Sequence, residues 1–180
     1  MKPRFPMLSR WTLPALLLLV LVAPACGGDE VKDSTTKAAD ALPESYWLAT
    51  PPGEASGVSA ARATVKDGAE LTVVGRIQDY RDKQAQFFLA DAALVPCNDR
   101  ENDSCPTPWD YCCEDRDKLA KGLLTVELRE EDGKRLRKTS LAGFHGFDRL
   151  AKAVVRGTAR VDEAGNVVLV ASGLHVSPWN

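Results

Sequence analysis

The sequence predicts a small, mainly β domain of five strands with one or two short helices and a cysteine-rich insert. Three observations predict it. Apolar and polar residues alternate with period two along residues 70–78, 84–89 and 124–129, the pattern of strands that bury one face. Two longer apolar runs, Val154–Val161 and Val167–Val176, flank Asp162-Glu163-Ala164-Gly165-Asn166 and read as a hairpin. Four of the five cysteines fall between Cys97 and Cys113, in a stretch too polar to fold by itself.

The chain begins with a basic stretch holding Lys2, Arg4 and Arg10, followed by an apolar run of about 11 residues ending at Ala23 and broken only by Pro14. A bilayer-spanning helix needs about 20 apolar residues, so residues 1–25 read as a signal peptide. Small Ala23 and Ala25 precede Cys26, and Gly27 and Gly28 follow it. Val22-Ala23-Pro24-Ala25-Cys26 resembles the lipobox of bacterial lipoproteins, with Ala23 where Leu is commoner. The resemblance implies that Cys26 becomes the first residue and is diacylated on sulfur, its amine being open to a further chain. Two or three acyl chains anchor a protein stably where one does not. It also implies a bacterial cell envelope location facing the periplasm or exterior, with Gly27 favouring the outer membrane over the inner.

Residues 26–44 carry too few large apolar groups to bury and are expected to form a lipidated, flexible tether. The domain is expected over 45–180, opening with Tyr46, Trp47 and Leu48 ahead of the breaker Pro51-Pro52-Gly53. Residues 57–67 read as a short helix with Val58, Ala61 and Val65 on one side and Gly68 as its stop. A strand over 70–78 follows, a polar turn over 79–83, and a second strand with Ala85, Phe87 and Leu89 on one face. The insert spans 96–113. Residues 114–121 read as one or two exposed helical turns ended by Gly122, before a third strand carrying Leu124, Val126 and Leu128. Glu131-Asp132-Gly133-Lys134 is a tight-turn sequence. Leu141, Phe144, Phe147, Leu150 and Ala151 then recur at helical spacing, predicting a short amphipathic helix centred on 148–152 despite Gly143 and Gly146. The closing hairpin completes five strands.

The order of three strands, helix and two strands resembles the OB-fold, a five-stranded Greek-key barrel whose helix lies between the third and fourth strands. The segments Leu71-Thr72-Val73-Val74-Gly75-Arg76-Ile77 and Val154-Val155-Arg156-Gly157-Thr158-Ala159 look like the Val-x-Gly strands of such barrels, where glycine lets a strand coil at a corner. The resemblance spans about residues 69–176. It implies a small OB-fold-like barrel and leaves the activity open.

The insert reads Cys97-Asn98-Asp99-Arg100-Glu101-Asn102-Asp103-Ser104-Cys105-Pro106-Thr107-Pro108-Trp109-Asp110-Tyr111-Cys112-Cys113. It resembles a segment of an uncharacterised group of bacterial lipoproteins with a Thr-Pro-Trp-Asp-Tyr-Cys-Cys ending, a likeness that brings no activity with it. An exported protein meets an oxidising compartment, so two disulfides are expected, with Cys97 and Cys105 each joined to one of Cys112 and Cys113. Intervals of seven, six and no residues between the cysteines differ from the close Cys pairs of tetrahedral metal sites, and no metal is assigned. The competing reading is a thiol-redox or metal-handling insert, with adjacent Cys112 and Cys113 as a strained redox pair. Asp99, Glu101, Asp103 and Asp110 lack the glycine and terminal glutamate of a calcium loop and are expected to be solvated. Trp109 and Tyr111 are expected to pack the insert on the barrel or to meet a partner.

With Lys2, Arg4 and Arg10 set aside, the remaining chain is acidic, with a formal charge near −5. That argues against nucleic acid, as does a barrel face offering only Phe88 for base stacking. Arg76, Arg129, Lys152, Arg156 and Arg160 are expected to point outward, making Arg76 and Arg156 contact candidates. Neither His145 nor His175 has a nucleophile near it in sequence, and no nucleophile elbow, phosphate loop, dinucleotide fingerprint or zincin helix occurs. The expectation is therefore a non-enzymatic binding or envelope-assembly module with no cofactor. Its partners would be the bilayer, through acylated Cys26, and an envelope protein, glycan or small ligand.

Overall fold

The alternating segments become the strands of one closed sheet. The structure is a computed structural model that describes residues 41–179, so the expected signal peptide, Cys26 and most of the tether lie outside the described residues. The elements are β1 (Ser56–Gly57), α1 (Val58–Thr64), β2 (Glu70–Tyr80), β3 (Gln86–Ala90), α2 (Arg116–Gly122), β4 (Leu123–Glu127), β5 (Lys152–Val161) and β6 (Val167–Ser177). The sheet runs β2-β3-β4-β6-β5, and β5 pairs back onto β2 to close a five-strand barrel. All of these pairings are antiparallel except β4 with β6, which is parallel. Short β1 adds a parallel edge to β2. This is a mainly β fold with one extra strand and two short helices, consistent with an OB-like barrel.

Period two decides what the barrel buries. Val73 and Ile77 of β2, Phe87 and Leu89 of β3, Leu124 and Val126 of β4, Ala153 and Val155 of β5, and Leu169 of β6 all point inward and are buried in one core. Gly157 shows how tightly the wall is drawn. A Cβ there would lie 2.2 Å from the Val170 carbonyl oxygen. The β5–β6 register shifts at Arg156/Gly157, so this glycine admits the bulge that bends the barrel at a corner. β2 is drawn equally close to β3 at Gly75, where a Cβ would lie 2.4 Å from the Ala90 carbonyl oxygen.

Both helices are short. α1 ends at Thr64 rather than reaching Gly68, and its first turn is held by Asp91, whose carboxylate accepts from the backbone N–H of Ser59 at 2.7 Å. α2 starts on Asp115, whose side chain accepts from the N–H groups of Asp117 and Lys118.

Two expectations are corrected. No helix forms over 140–151, and Lys152 already opens β5. Gly143, His145, Gly146 and Leu150 all have positive φ, at 81°, 49°, 78° and 66°, which a right-handed helix does not tolerate. Leu141 and Phe147 are nonetheless buried, carried into the core by consecutive turns. The barrel therefore has no helix between its third and fourth strands, where the OB-fold resemblance places one. The second correction concerns the start of the domain. Leu42, assigned to the tether, is 6% exposed and part of the core, and the Leu48 N–H donates to the Leu174 carbonyl of β6 at 2.8 Å.

Candidate functional site

The insert leaves β3 and returns to α2, and its two arms are tied together close to the cysteines. Cys97, Asn98 and Asp99 form a single 3-10 turn. The Cys97 N–H donates to the Asp110 carbonyl at 2.8 Å and the Asn98 N–H to the Pro108 carbonyl at 2.6 Å. Tyr111 anchors the returning arm. It is 1% exposed, in a small second core with Ala90 and Leu94, against which Leu119 and Leu123 pack. Its hydroxyl is buried without a hydrogen-bond partner, and burial pushes the phenol up to about 12. Farther out, Glu114 accepts from Arg100 Nη2 at 2.6 Å and from the Val95 N–H at 3.2 Å.

The insert also grips the barrel through arginines. Arg149 lies between two rings, its guanidinium carbon 4.5 Å from the Trp109 centroid and 4.6 Å from that of Tyr80. Arg76 leaves β2 on the outward side, as alternation requires, but is only 8% exposed because the insert folds over it. Its Nη1 donates to Asp99 Oδ2 at 2.6 Å, and that bond holds the Asp99 carboxyl below its ordinary range. Arg156, the other contact candidate, is exposed on β5. Trp109 is thus half-buried under Arg149, Tyr111 fully buried, and Arg76 covered.

At the centre are the thiols. Cys112 Sγ lies 3.4 Å from Cys97 Sγ, 4.0 Å from Cys105 Sγ and 3.9 Å from Cys113 Sγ. The sulfurs of Cys97, Cys105 and Cys112 are all within 4.8 Å of one another. A disulfide needs about 2.05 Å. The four side chains are free thiols, so the two expected bridges are not formed here. Cys112 is the neighbour of both Cys97 and Cys105, where the expected pairing divides them between Cys112 and Cys113.

The three thiols differ in surroundings. Cys97 is buried, and desolvation pushes its thiol up to about 12, with hydrogen bonds to Cys112, Asp103 and Cys105 acting in the same direction. Cys105 is half-buried; its sulfur is 3.3 Å from Thr107 Oγ1, and bonds from Thr107 hold it below the ordinary thiol value. Cys112 is exposed.

Three sulfurs about 2.3 Å from one shared cation would lie about 3.8–4.0 Å apart; Cys112 Sγ is 4.0 Å from Cys105 Sγ and 3.4 Å from Cys97 Sγ. Among the described residues, these cysteines form the one group of three or more His, Cys, Asp or Glu side chains converging at such distances. The acidic residues expected to be solvated do not join it as a group: Asp99 is bonded to Arg76, and Asp110 accepts from the Tyr111 N–H. His145 stacks on Trp47 at 4.7 Å and His175 bonds the Leu48 carbonyl. The sequence marked all four cysteines but not which three converge, because the intervals along the chain do not show how the two arms are zipped.

No protein-family model and no curated protein matches this chain. Among solved structures it is similar to a chain from one titled "OBody AM1L10 bound to hen egg-white lysozyme", at 12% identity and a TM-score of 0.39, covering 72% of this chain and 100% of that one. Among the described residues, no helix is long and apolar enough to cross a membrane.

Proposed function

We propose that this chain is a non-catalytic binding module whose insert holds one thiophilic cation, Zn(II) or Cu(I), on Cys97, Cys105 and Cys112. A single observation carries the reading: three sulfurs from both arms of the insert converge around one centre at non-bonded distances. Thiolates are the ligands that select these d10 ions from harder cations. The scaffold suits the task, because Tyr111 and the paired backbone bonds fix the arms that carry the ligands. The resemblance of Val22-Ala23-Pro24-Ala25-Cys26 to a lipobox supports placing the module on a bilayer of the bacterial envelope. In that oxidising compartment, ligation would protect thiols that otherwise pair.

The test uses the Cys26→Ser chain, in which the four insert cysteines are the only thiols. Elemental analysis should find one Zn or Cu per chain, with a thiolate-to-metal charge-transfer band in the ultraviolet. Cys112→Ser should abolish both, whereas Cys113→Ser should leave the stoichiometry unchanged. A metal-free chain lighter than its reduced form by four hydrogens would sink the proposal and make the insert a doubly disulfide-bonded staple. The anchoring part is tested separately: the wild-type chain should sediment with membranes and the Cys26→Ser chain should not.

A further inference from the structure

Beside the thiols, and separate from them, the insert and the barrel enclose a cleft of about 360 Å³ lined by Arg76, Asn98, Asp99, Arg149 and Trp179 among others. Its two guanidiniums are held rigidly and are incompletely used. Arg76 has an indole on one face, its central carbon 4.4 Å from the Trp179 centroid. Of its nitrogens, Nη1 is bonded to Asp99, while Nε is buried with no partner. Arg149 is sandwiched by Trp109 and Tyr80 and turns Nε and Nη2 toward Asp79, at 2.9 and 2.8 Å. Each guanidinium carries five N–H donors and no acceptor, and the bonds to Asp99 and Asp79 take only some of them.

We propose that this cleft binds a small oxyanion, a carboxylate or phosphate group, between the guanidiniums of Arg76 and Arg149. The planar fork of arginine matches two oxygens of such a group, and rings stacked on the forks fix their planes before the ligand arrives. Asn98 adds a carboxamide to the rim, its Nδ2 3.2 Å from Asp99 Oδ1. Asp99 also lines the cleft, but its Oδ2 is turned to Arg76 Nη1, so it orients a donor as well as adding charge. The site rests on these residues alone and does not depend on a metal at the cysteines.

The experiment is a two-dimensional NMR titration of the purified protein with sodium phosphate and, separately, sodium acetate, each against sodium chloride at matched ionic strength. The Nε–H signals of Arg76 and Arg149 and the indole N–H of Trp179 should shift saturably with one or both oxyanions and not with chloride. Saturation by phosphate alone assigns a phosphorylated ligand, by acetate alone a carboxylate. Arg149→Gln should weaken the apparent affinity at least about tenfold, a loss of about 1.4 kcal/mol. Arg149→Lys, which keeps the charge without the fork, should also lose affinity and serves if the glutamine variant does not fold. Shifts that chloride reproduces, that never saturate, or that persist unchanged in the Arg149 variants would overturn the site.

Discussion

The barrel and the insert hold their shapes by different means. The barrel buries an apolar face on every strand and closes its hydrogen-bond ladder on itself, so its shape follows from alternation and strand pairing. The insert buries Tyr111 and Cys97 and otherwise relies on backbone bonds between its arms, two ion pairs and arginines stacked on rings. Hydrophobic burial leaves little choice about which residues lie inside. Polar and sulfur contacts are individually weak, so the shape of the insert rests on their sum rather than on any one of them.

That contrast can be broken first at the barrel. Phe147 is fully buried and meets Phe87 edge-on at 5.1 Å and Tyr80 at 5.7 Å. Phe147→Ala should cost about 3–5 kcal/mol, read from the urea midpoint. Gly157→Ala should cost about 2–3 kcal/mol, because the added methyl meets β6 backbone that cannot yield without opening the corner.

Substitutions in the insert sharpen the comparison. Tyr111→Phe removes a buried hydroxyl with no partner and should leave stability unchanged or raise it by up to about 1 kcal/mol, measured by the same urea transition. Asp99 supplies a pH test. Its carboxyl is held below the ordinary value by Arg76, so its contribution is present above about pH 4 and is lost as pH falls through the depressed folded value. Asp99→Asn should therefore flatten that acid-side slope in a pH series of unfolding curves while leaving the slope near neutrality unchanged. Arg156→Ala should have the smallest effect, within about 0.5 kcal/mol, because its side chain is exposed on the outer wall. A thermal or urea shift larger than that would show that the outer face is engaged in packing.

Much of the wall was legible from residue order. Every strand expected from alternation is present, β2 running two residues farther than expected to Tyr80, and α2 ends at Gly122 as its charge pattern and glycine suggest. The missing helix over 140–151 shows where periodicity misleads. Leu141 and Phe147 lie six residues apart and serve one core, but left-handed backbone at Gly143, His145 and Gly146 delivers them there without a helix. Arg76 shows a second limit. Its outward phase was readable, but its burial depends on an insert that begins twenty residues later in the chain.

By itself, the sequence determined which strand residues face the barrel interior, where the closing hairpin turns, and that the cysteines are gathered in one polar insert. These are local properties, set by a two-residue period and by glycine, proline and aspartate at turns. The tertiary structure alone decided the closure of β5 on β2, the cover over Arg76, and the meeting of Cys97, Cys105 and Cys112 with Cys113 off to one side. Each of these depends on two segments distant in sequence finding one register. The free energy that selects a register comes from burial and pairing across the whole fold, and no single stretch of residues carries it.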